Sequence, residues 1–397
     1  MSVLSAATAD VAAPTVAVAA PATTEASFDA LLVDIRTRAR SGEFDLQRHI
    51  SPDIIQAFKA HGVYRALVPK RFGGDECSPA EFCQLIERIS HADGSAGWVA
   101  SFGMSPVYLA ALPLETLAKV YASGPDVVFA GGIFPPQPAE PVAGGYKVKG
   151  RWKYSSGSMG AELVGVGIAP RNGDKFDLPR LAVMPASSAR IDQTWDTVGL
   201  AGTGSHDLVV DDVIVPEEWT FVRGGKPNLN EPFFRYPSLS FATQVLSVVG
   251  LGVARAALDE LRGMASGRIS VTGAPALADR PLAQVEIAKA EAALLSARAF
   301  FYESIDAAWQ HVLAGEAVPE AATNLLRLSS THASRVAADV ARTAQMLSGM
   351  SGVYNDSPLA RCVNDANVVT QHAFMGDVTY QNAGAIFFGK QPLPGYL

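Results

Sequence analysis

The sequence predicts an α+β protein in three consecutive parts: an N-terminal helical domain, a middle β-barrel or sandwich domain and a C-terminal four-helix bundle. In the first and last parts apolar residues recur every three or four positions, which is typical of amphipathic helices. In the middle part they form short runs, some with period two, which favours strands. We expect a disordered tail at 1–26, then domains at 27–125, 126–225 and 226–397.

The helical spacing of the first part is clearest at Phe28, Leu31 and Ile35. Pro79 follows Ser78, a pair typical of an N-cap and the first turn of a helix. Residues 94–98 are small apart from Trp98. We therefore expect close helix packing beside a bulky aromatic side chain.

The middle part contains three segments with strand character. Tyr146–Gly150 alternates between apolar and polar residues, and Leu163–Ile168 and Leu208–Val215 are apolar runs of strand length. Glycine and proline separate these runs, as at turns between strands. A domain of about a hundred residues built this way is typical of a small barrel or sandwich.

Long Ala- and Leu-rich segments follow the Pro- and Phe-rich connector at 227–237. We predict four antiparallel helices at Leu246–Met264, Leu282–Leu313, Pro319–Ser348 and Asn364–Phe388. Short connections between such helices make a bundle. Their broad apolar faces also indicate packing between subunits.

The composition favours an enzyme acting on small molecules. Hydrophobic residues make up 48% and charged residues 18% of the 397 residues, as in a globular protein with a large interior. The net charge of −7 argues against nucleic-acid and anionic-membrane partners. The three cysteines and scattered histidines show no metal-ligand spacing. No apolar run reaches 18 residues and the first 26 lack a basic signal-peptide segment, so we expect a cytoplasmic protein.

Three stretches resemble the acyl-CoA dehydrogenase superfamily. They are 144–157 (GGYKVKGRWKYSSG), 198–216 (VGLAGTGS running into VVDDVIVP) and 349–366 (GMSGVY through Pro358, Arg361 and Asp365). Within the superfamily the sequence is similar to the two-component (group D) flavin-dependent monooxygenases. The motifs DGSAGW at 93–98 and SSG at 155–157 resemble the oxygenase subunits that hydroxylate aromatic, secosteroid and indolic compounds.

This resemblance implies an oxygenase component that binds reduced FAD or FMN as a diffusible cofactor. With O2 the flavin would form a C4a-hydroperoxyflavin that hydroxylates a small aromatic or indolic substrate. No GxGxxG follows a predicted strand, so we see no nicotinamide site. A separate NAD(P)H flavin reductase would then supply the reduced flavin. The resemblance also implies a homotetramer.

One position separates the oxygenase from a dehydrogenase. Dehydrogenases of the superfamily remove an α-proton with a glutamate on a late helix, and alignment places Ala373 there, which accepts no proton. The neighbouring His372 matches the histidine that faces the flavin in related monooxygenases. A neutral imidazole there could stabilise the peroxide and move its proton. A hydrogen-bonded core histidine is the alternative.

Ser156 corresponds to the hydroxyl residue near flavin N5 in the family, and with His372 it is the predicted catalytic pair. As an alternative, Ser156 could cap the end of a strand. The other residues that the resemblance places near the flavin are Tyr154, Ser155, Ser158, Thr203, Ser205, Arg268, Gly349 and Gly352. Thr203 and Ser205 could also belong to an ordinary glycine-rich turn, and Arg268 could be a solvated surface residue.

An apolar pocket for an aromatic guest could be formed by bulky residues of the connector and neighbouring helices. The candidates are Phe102, Met104, Tyr108, Phe134, Phe233, Phe234, Leu239, Phe241, Phe374 and Met375. Each of them could instead pack in the core.

Three other functions stay open on the sequence. The first is an acyl-CoA dehydrogenase with its base on another helix. The second is an N-oxygenase of an amine or amino sugar, which would share the chemistry and differ in the pocket. The third is a helical scaffold that binds no flavin.

Overall fold

The computed structural model describes residues 25–173, 175–266 and 273–397. Within these ranges the chain runs from helices to strands after Val120 and back to helices at Ser238, which confirms the predicted three-part order. The predicted tail at 1–26 lies outside the described residues except for Glu25 and Ala26, which begin the first helix.

The N-terminal part is helical, and Ser78 is the N-cap of its 14-residue helix Pro79–Ala92, as predicted. The Ser78 hydroxyl accepts from the Glu81 N–H and the Glu81 carboxylate accepts from the Ser78 N–H, which is a capping box. Asp93 then ends this helix and caps the next, because its carboxylate accepts from Ala96 N–H at 2.8 Å. The helices of this part are α1 (Glu25–Arg40), α2 (Glu43–Gln47), α3 (Pro52–Ala60), α4 (Pro79–Ala92), α5 (Gly94–Ala100), α6 (Pro106–Leu109) and α7 (Leu114–Val120).

The middle part is an eight-stranded sheet. Its strands are β1 (Phe129–Val142), β2 (Gly145–Trp152), β3 (Leu163–Asn172), β4 (Lys175–Phe176), β5 (Arg180–Pro185), β6 (Arg190–Asp192), β7 (Asp207–Pro216) and β8 (Thr220–Val222). They lie in the order β6-β7-β2-β1-β3-β5-β8, with β4 paired to β3. The β1–β3 pair is parallel, with Phe129 opposite Leu163, and the other pairs are antiparallel.

The sheet curls around a core of its own. Met184 of β5 and Val210 of β7 belong to the same buried cluster although three strands separate them in the sheet. Trp152 lies fully buried in this cluster, and its Nε1–H donates to Gly167 O at 2.9 Å. The barrel-like shape expected from the sequence follows from this curvature. The curvature of the sheet directs the loop that follows β2 toward the helices.

The C-terminal part contains α8 (Ser238–Ala265), α9 (Pro281–Leu313), α10 (Glu320–Ser348), α11 (Pro358–Gln371) and α12 (Val378–Phe387). Helix α8 is long and apolar enough to cross a membrane, yet 89% of its most apolar window is buried inside the protein. It packs against α4, α10 and α11 as the central core helix. The two helical parts share one core, in which Phe82 contacts Phe241. The predicted division into domains therefore stays a prediction.

The predicted fourth bundle helix, Asn364–Phe388, is wrong as one continuous element. Helix α11 begins earlier, at Pro358, and ends at Gln371. His372 has an extended backbone (ψ 140°), residues 373–375 form a 3-10 turn, and α12 begins at Val378. The break turns the chain at the residue that the sequence marks as catalytic.

Candidate active site

Two loops of the middle part meet through a chain of buried hydroxyl groups. The loop after β2 carries Ser156, and the glycine-rich loop before β7 carries Thr203 and Ser205. Ser156 Oγ lies 2.6 Å from Ser205 Oγ, which lies 2.7 Å from Thr203 Oγ1. Thr203 in turn donates to Leu200 O at 2.8 Å. The structure thus brings together three of the residues predicted for the flavin site.

Trp98 of α5 connects these hydroxyls to the helical part. Its Nε1–H donates to Ser156 Oγ at 3.2 Å. The small residues before Trp98 allow the helices to pack closely, as predicted, since a Cβ on Gly97 would lie 1.9 Å from Ser90 Oγ of α4. In the glycine-rich loop a Cβ on Gly202 would lie 2.7 Å from Phe44 Cβ. The sequence indicated a bulky aromatic here but assigned it no role in the site. Its place in a run of small residues was the available signal.

His372 completes the site from the break after α11. Its ring centre lies 5.9 Å from that of Trp98 and 4.8 Å from that of Phe374. The Phe374 N–H donates to His372 Nδ1 at 3.3 Å. Because Nδ1 accepts, the ring proton of the neutral imidazole is at Nε2. The predicted catalytic residues Ser156 and His372 therefore contact the same tryptophan.

The imidazole of His372 is neutral at physiological pH. Burial lowers its pKa to about 4, and the nearby positive charge of Arg327 adds to the decrease. Desolvation penalises the charged form of the ring, as does a cation beside it. His372 can therefore donate a hydrogen bond from Nε2 but is not a cation in the resting protein.

Free hydroxyl groups fit the predicted flavin. Ser155 Oγ and Ser158 Oγ are buried without a hydrogen-bond partner among the described residues, on both sides of Ser156. Buried polar groups are normally paired, so donors left free in one loop fit the polar edge of a bound isoalloxazine ring. Tyr154, with φ 62° and 69% exposed, packs edge-on against Trp195 at the outer side of this loop. As a flavin contact Tyr154 stays a prediction.

Two other residues predicted to bind the flavin, both glycines, lie away from Ser156 and His372. Gly349 and Gly352 lie in the turn between α10 and α11, at the opposite end of the 14-residue α11 from His372. That helix is about 20 Å long, so within one subunit the two glycines do not join the Ser156–His372 site. Their predicted place beside a flavin held by a neighbouring subunit stays a prediction. Arg268 lies outside the described residues.

The predicted pocket residues divide into three groups. Met104, Phe233, Phe241 and Met375 are buried in the core, where Phe233 and Phe241 pack at 5.0 Å. Phe134 is exposed on the sheet beneath the Arg223 guanidinium. The other five residues are partly buried and so can face a guest molecule: Phe102, Tyr108, Phe234, Leu239 and Phe374. Of the ten, Phe374 packs its ring against the imidazole of His372, and Met375 N–H donates to His372 O at 2.8 Å.

A buried acidic corner holds the glycine-rich loop against α11. Asp365 Oδ1 accepts from Leu200 N–H at 2.6 Å, and Arg361 pairs with Asp45 at 2.7 Å and Asp93 at 3.5 Å. Arg361 therefore holds this corner together through two acidic neighbours. Burial raises the pKa of Asp365 to about 8, and the carboxylate of Asp93 adds to the increase. A cleft of about 500 Å³ opens beside the corner and is lined by neither Ser156 nor His372.

The structure offers no dehydrogenase base at this site. Ala373 stands at the predicted position and faces solvent. In the part of the chain that the structure describes, no carboxylate hydrogen-bonds to Trp98, Ser156 or His372. The site has hydroxyl groups and a neutral imidazole of lowered pKa, which can donate hydrogen bonds to an oxygen atom but are weak bases for a C–H proton.

Comparison with known protein families gives two matches. Residues 32–114 match the acyl-CoA dehydrogenase N-terminal domain and residues 244–377 match the acyl-CoA dehydrogenase C-terminal domain. These ranges include α4, α5, most of α8 and the break at His372. The curled sheet lies between them.

Two relatives and one solved structure extend the match over nearly the whole chain. An indole-3-acetate monooxygenase of Pseudomonas putida is 82% identical over 382 residues, 96% of this chain and 98% of the relative. The FADH2-dependent resorcinol hydroxylase oxygenase component of a Rhizobium species is 30% identical, covering 90% of this chain and 93% of that protein. The crystal structure of 3-HSA hydroxylase from Rhodococcus sp. RHA1 has a TM-score of 0.88 at 28% identity, covering 94% of this chain and all of that one.

Proposed function

Because the chain belongs to the flavin-dependent monooxygenases with the acyl-CoA dehydrogenase fold, we propose that it oxygenates the indole ring of indole-3-acetate. The enzyme uses reduced flavin and O2 as an oxygenase component. The relative with 82% identity, an indole-3-acetate monooxygenase, supports this substrate. Indole-3-acetate also falls within the aromatic or indolic class of substrate that the resemblance implies.

The contact of both Ser156 and His372 with Trp98 is the observation that carries the proposal. Bound reduced flavin would supply the electrons that activate O2. Ser155, Ser156 and Ser158 would hold its polar edge, and Thr203 and Ser205 would keep Ser156 in place. Arg268 and the glycines at 349 and 352 complete the set proposed for the rest of the cofactor.

His372 would position and move one proton during oxygen transfer. Its Nε2–H can donate to an oxygen atom between the flavin and the substrate, while Phe374 N–H keeps Nδ1 occupied. Trp98 covers Ser156 from the protein side, so the Ser156 hydroxyl is shielded from water. Exclusion of water protects reactive oxygen species from release as hydrogen peroxide.

Partners and assembly follow from the same proposal. The oxygenase-component relatives indicate that a separate reductase supplies the reduced flavin. We propose a cytoplasmic homotetramer, supported by large apolar side chains exposed near the turn after α10 and at the end of α12: Met346, Met350, Tyr354, Phe387 and Phe388. A monomer by light scattering would contradict the tetramer and with it a flavin site shared between subunits.

Isotope labelling tests the proposed reaction. The purified protein is loaded anaerobically with dithionite-reduced FAD or FMN, supplied with indole-3-acetate and mixed with 18O2. We expect an indolic product that contains one 18O atom, found by mass spectrometry. Bound reduced flavin with peroxide release and no labelled product would overturn the proposal. Bleaching of oxidised flavin by an acyl-CoA would return the chain to the dehydrogenases.

A further inference from the structure

Arg327 is a buried cation on the inner face of α10. It is 6% exposed, and burial lowers its pKa. Asn324, one turn earlier, and Thr331, one turn later, lie on the same face of the helix and are fully buried. Asn324 Nδ2, Arg327 Nε and Thr331 Oγ1 all lack hydrogen-bond partners among the described residues. Three unpaired polar atoms in successive turns are unusual inside a protein.

The surroundings of the Arg327 guanidinium contain rings and one hydroxyl. Nη1 donates to Thr243 Oγ1 at 2.5 Å. Cζ lies 5.6 Å from the centre of the Phe374 ring and 5.4 Å from that of Tyr396. In the described ranges no Asp or Glu lies within 4 Å of Arg327. Neither Nε nor Nη2 has a hydrogen-bond partner there.

Two other partly buried arginines of this chain are paired with acids. Arg38 binds Glu43 and Asp53, and Arg361 binds Asp45 and Asp93. A buried charge without a partner is strongly unfavourable, so such charges are normally paired or bind a ligand. Nε–H and Nη2–H form one edge of the planar guanidinium, and that edge matches the two oxygens of a carboxylate.

We propose that Arg327 binds the carboxylate of an arylacetate substrate through its Nε–H and Nη2–H edge, and so selects indole-3-acetate over neutral indoles. This assignment rests on the proposed function for the identity of the substrate. Asn324 Nδ2 is a second free donor one turn away and can bind the same carboxylate. Thr243 fixes the orientation of the guanidinium from the opposite nitrogen.

The position of Phe374 connects this subsite to the reactive residues. The Phe374 ring contacts the His372 ring at 4.8 Å and lies 5.6 Å from Arg327 Cζ. In indole-3-acetate a single methylene group separates the carboxylate from C3 of the ring. With its carboxylate on Arg327, we expect the substrate to place the five-membered part of the indole beside Phe374 and near His372.

Arg223 is the competing candidate for the carboxylate. Its Cζ lies 4.1 Å from the centre of the Phe134 ring, and in the described structure it too has no acidic partner. Its side chain is more exposed than that of Arg327, however, so water solvates more of its charge and a carboxylate gains less there. The buried guanidinium of Arg327 gains more from a counter-ion.

Binding measurements on two ligands test the assignment. Indole-3-acetate and 3-methylindole, which lacks the carboxylate, are titrated calorimetrically into the full-length wild type, R327M and R223M. We expect R327M to weaken indole-3-acetate binding about 10- to 100-fold, the loss typical of a charged hydrogen-bonded contact. Binding of 3-methylindole should change less than about threefold, and R223M should leave both affinities near wild type.

Further outcomes separate this proposal from the proposed function. Equal weakening of both ligands by R327M, or selective weakening by R223M instead, would overturn the carboxylate subsite. If R327M does not fold, R327K decides, because lysine keeps the charge and lacks the two-pronged edge; an unchanged affinity for indole-3-acetate in R327K would also overturn it. Arg327-dependent binding without 18O incorporation would leave the subsite standing and remove the proposed reaction.

Discussion

The Trp98 indole N–H donates to the Ser156 hydroxyl at 3.2 Å across the junction of the helical and sheet parts. The same ring packs beside His372. One side chain thus sets the distance between a hydroxyl on a sheet loop and an imidazole at a helix break. Neither the sheet loop that carries Ser156 nor the helix break that carries His372 sets this distance alone.

Removing this donor should reduce the efficiency of oxygen transfer. W98F keeps an aromatic ring beside His372 and loses the hydrogen bond to Ser156. The loss of such a bond costs about 1 kcal/mol, which corresponds to a roughly fivefold change in rate. We expect a several-fold rise in hydrogen peroxide formed per NADH consumed, with reduced flavin still bound. The ratio is measured by coupled peroxide and product assays. An unchanged yield of product would show that Trp98 is only a packing residue.

A double-mutant cycle should detect the same bond in the stability of the protein. S156A leaves the buried Trp98 N–H without its acceptor, which costs about 1–3 kcal/mol. W98F removes that N–H, so the double variant should be less destabilised than the sum of the single variants. The difference should be about 1 kcal/mol in urea denaturation. Simple additivity would mean that the two residues do not interact in solution.

Replacement of His372 should distinguish a neutral donor from a cation. The amide of H372Q can place an N–H near the position of Nε2, whereas the shorter amide of H372N lies near Nδ1. We expect H372N to lower kcat about 100-fold or more and H372Q to retain about tenfold more activity than H372N. Steady-state product formation measures both. Equal loss in the two variants would favour a cationic role for the ring.

Acid should destabilise the wild type through His372. The unfolded imidazole takes a proton near pH 6.5, whereas burial keeps the folded one neutral down to about pH 4. The unfolded state therefore binds more protons in this window, and stability falls as the pH decreases. Between pH 7 and 4.5 the wild type should lose about 2 kcal/mol more than H372Q in urea denaturation. Parallel losses would place the folded pKa near its ordinary value.

Base should weaken the acidic corner through Asp365. The pKa of this carboxyl is raised to about 8 in the folded protein, so folding stabilises the protonated form and stability falls as the pH rises toward 8. D365N imitates the protonated acid and still accepts from Leu200 N–H. Between pH 6 and 8 the free energy of unfolding of the wild type should fall by on the order of 1–2 kcal/mol, and D365N should not show this decrease. The exposed D212N is the control and should follow the wild type in this window.

The sequence predicted the fold well where local patterns determine it. The capping box at Ser78 and the strands around Tyr146, Val166 and Val210 lie where residue spacing and turn signals placed them. The end of α11 was not predicted, because Ala- and Val-rich helical spacing continues through the break. There the Phe374 N–H satisfies His372 Nδ1 instead of a helical carbonyl, and only the structure reveals this bond.

The candidate site was half predicted. The resemblance to the family proposed Ser156, Ser205 and His372, whose roles stay predictions, and it assigned no role to Trp98 or Arg327. The role of Trp98 depends on a hydroxyl 58 residues away, and no local pattern marks such a pair. Arg327 precedes a Ser- and Thr-rich run, 329–331, that is buried in α10, and this polar run was the signal available. Only the structure shows that its guanidinium has no acidic partner among the described residues.

The helix break at His372 lets the residues proposed for catalysis and those proposed for substrate binding change separately in evolution. The tautomer of the imidazole is set by a main-chain N–H two residues away, so substitution of side chains elsewhere leaves the ring proton at Nε2. The side chains of α8 and α10 that contact the proposed carboxylate site, such as Thr243 and Arg327, can then change with the substrate. Enzymes of this architecture could acquire new substrates by drift in the surrounding helices, and directed evolution could vary α8 and α10 with the 371–375 backbone held constant.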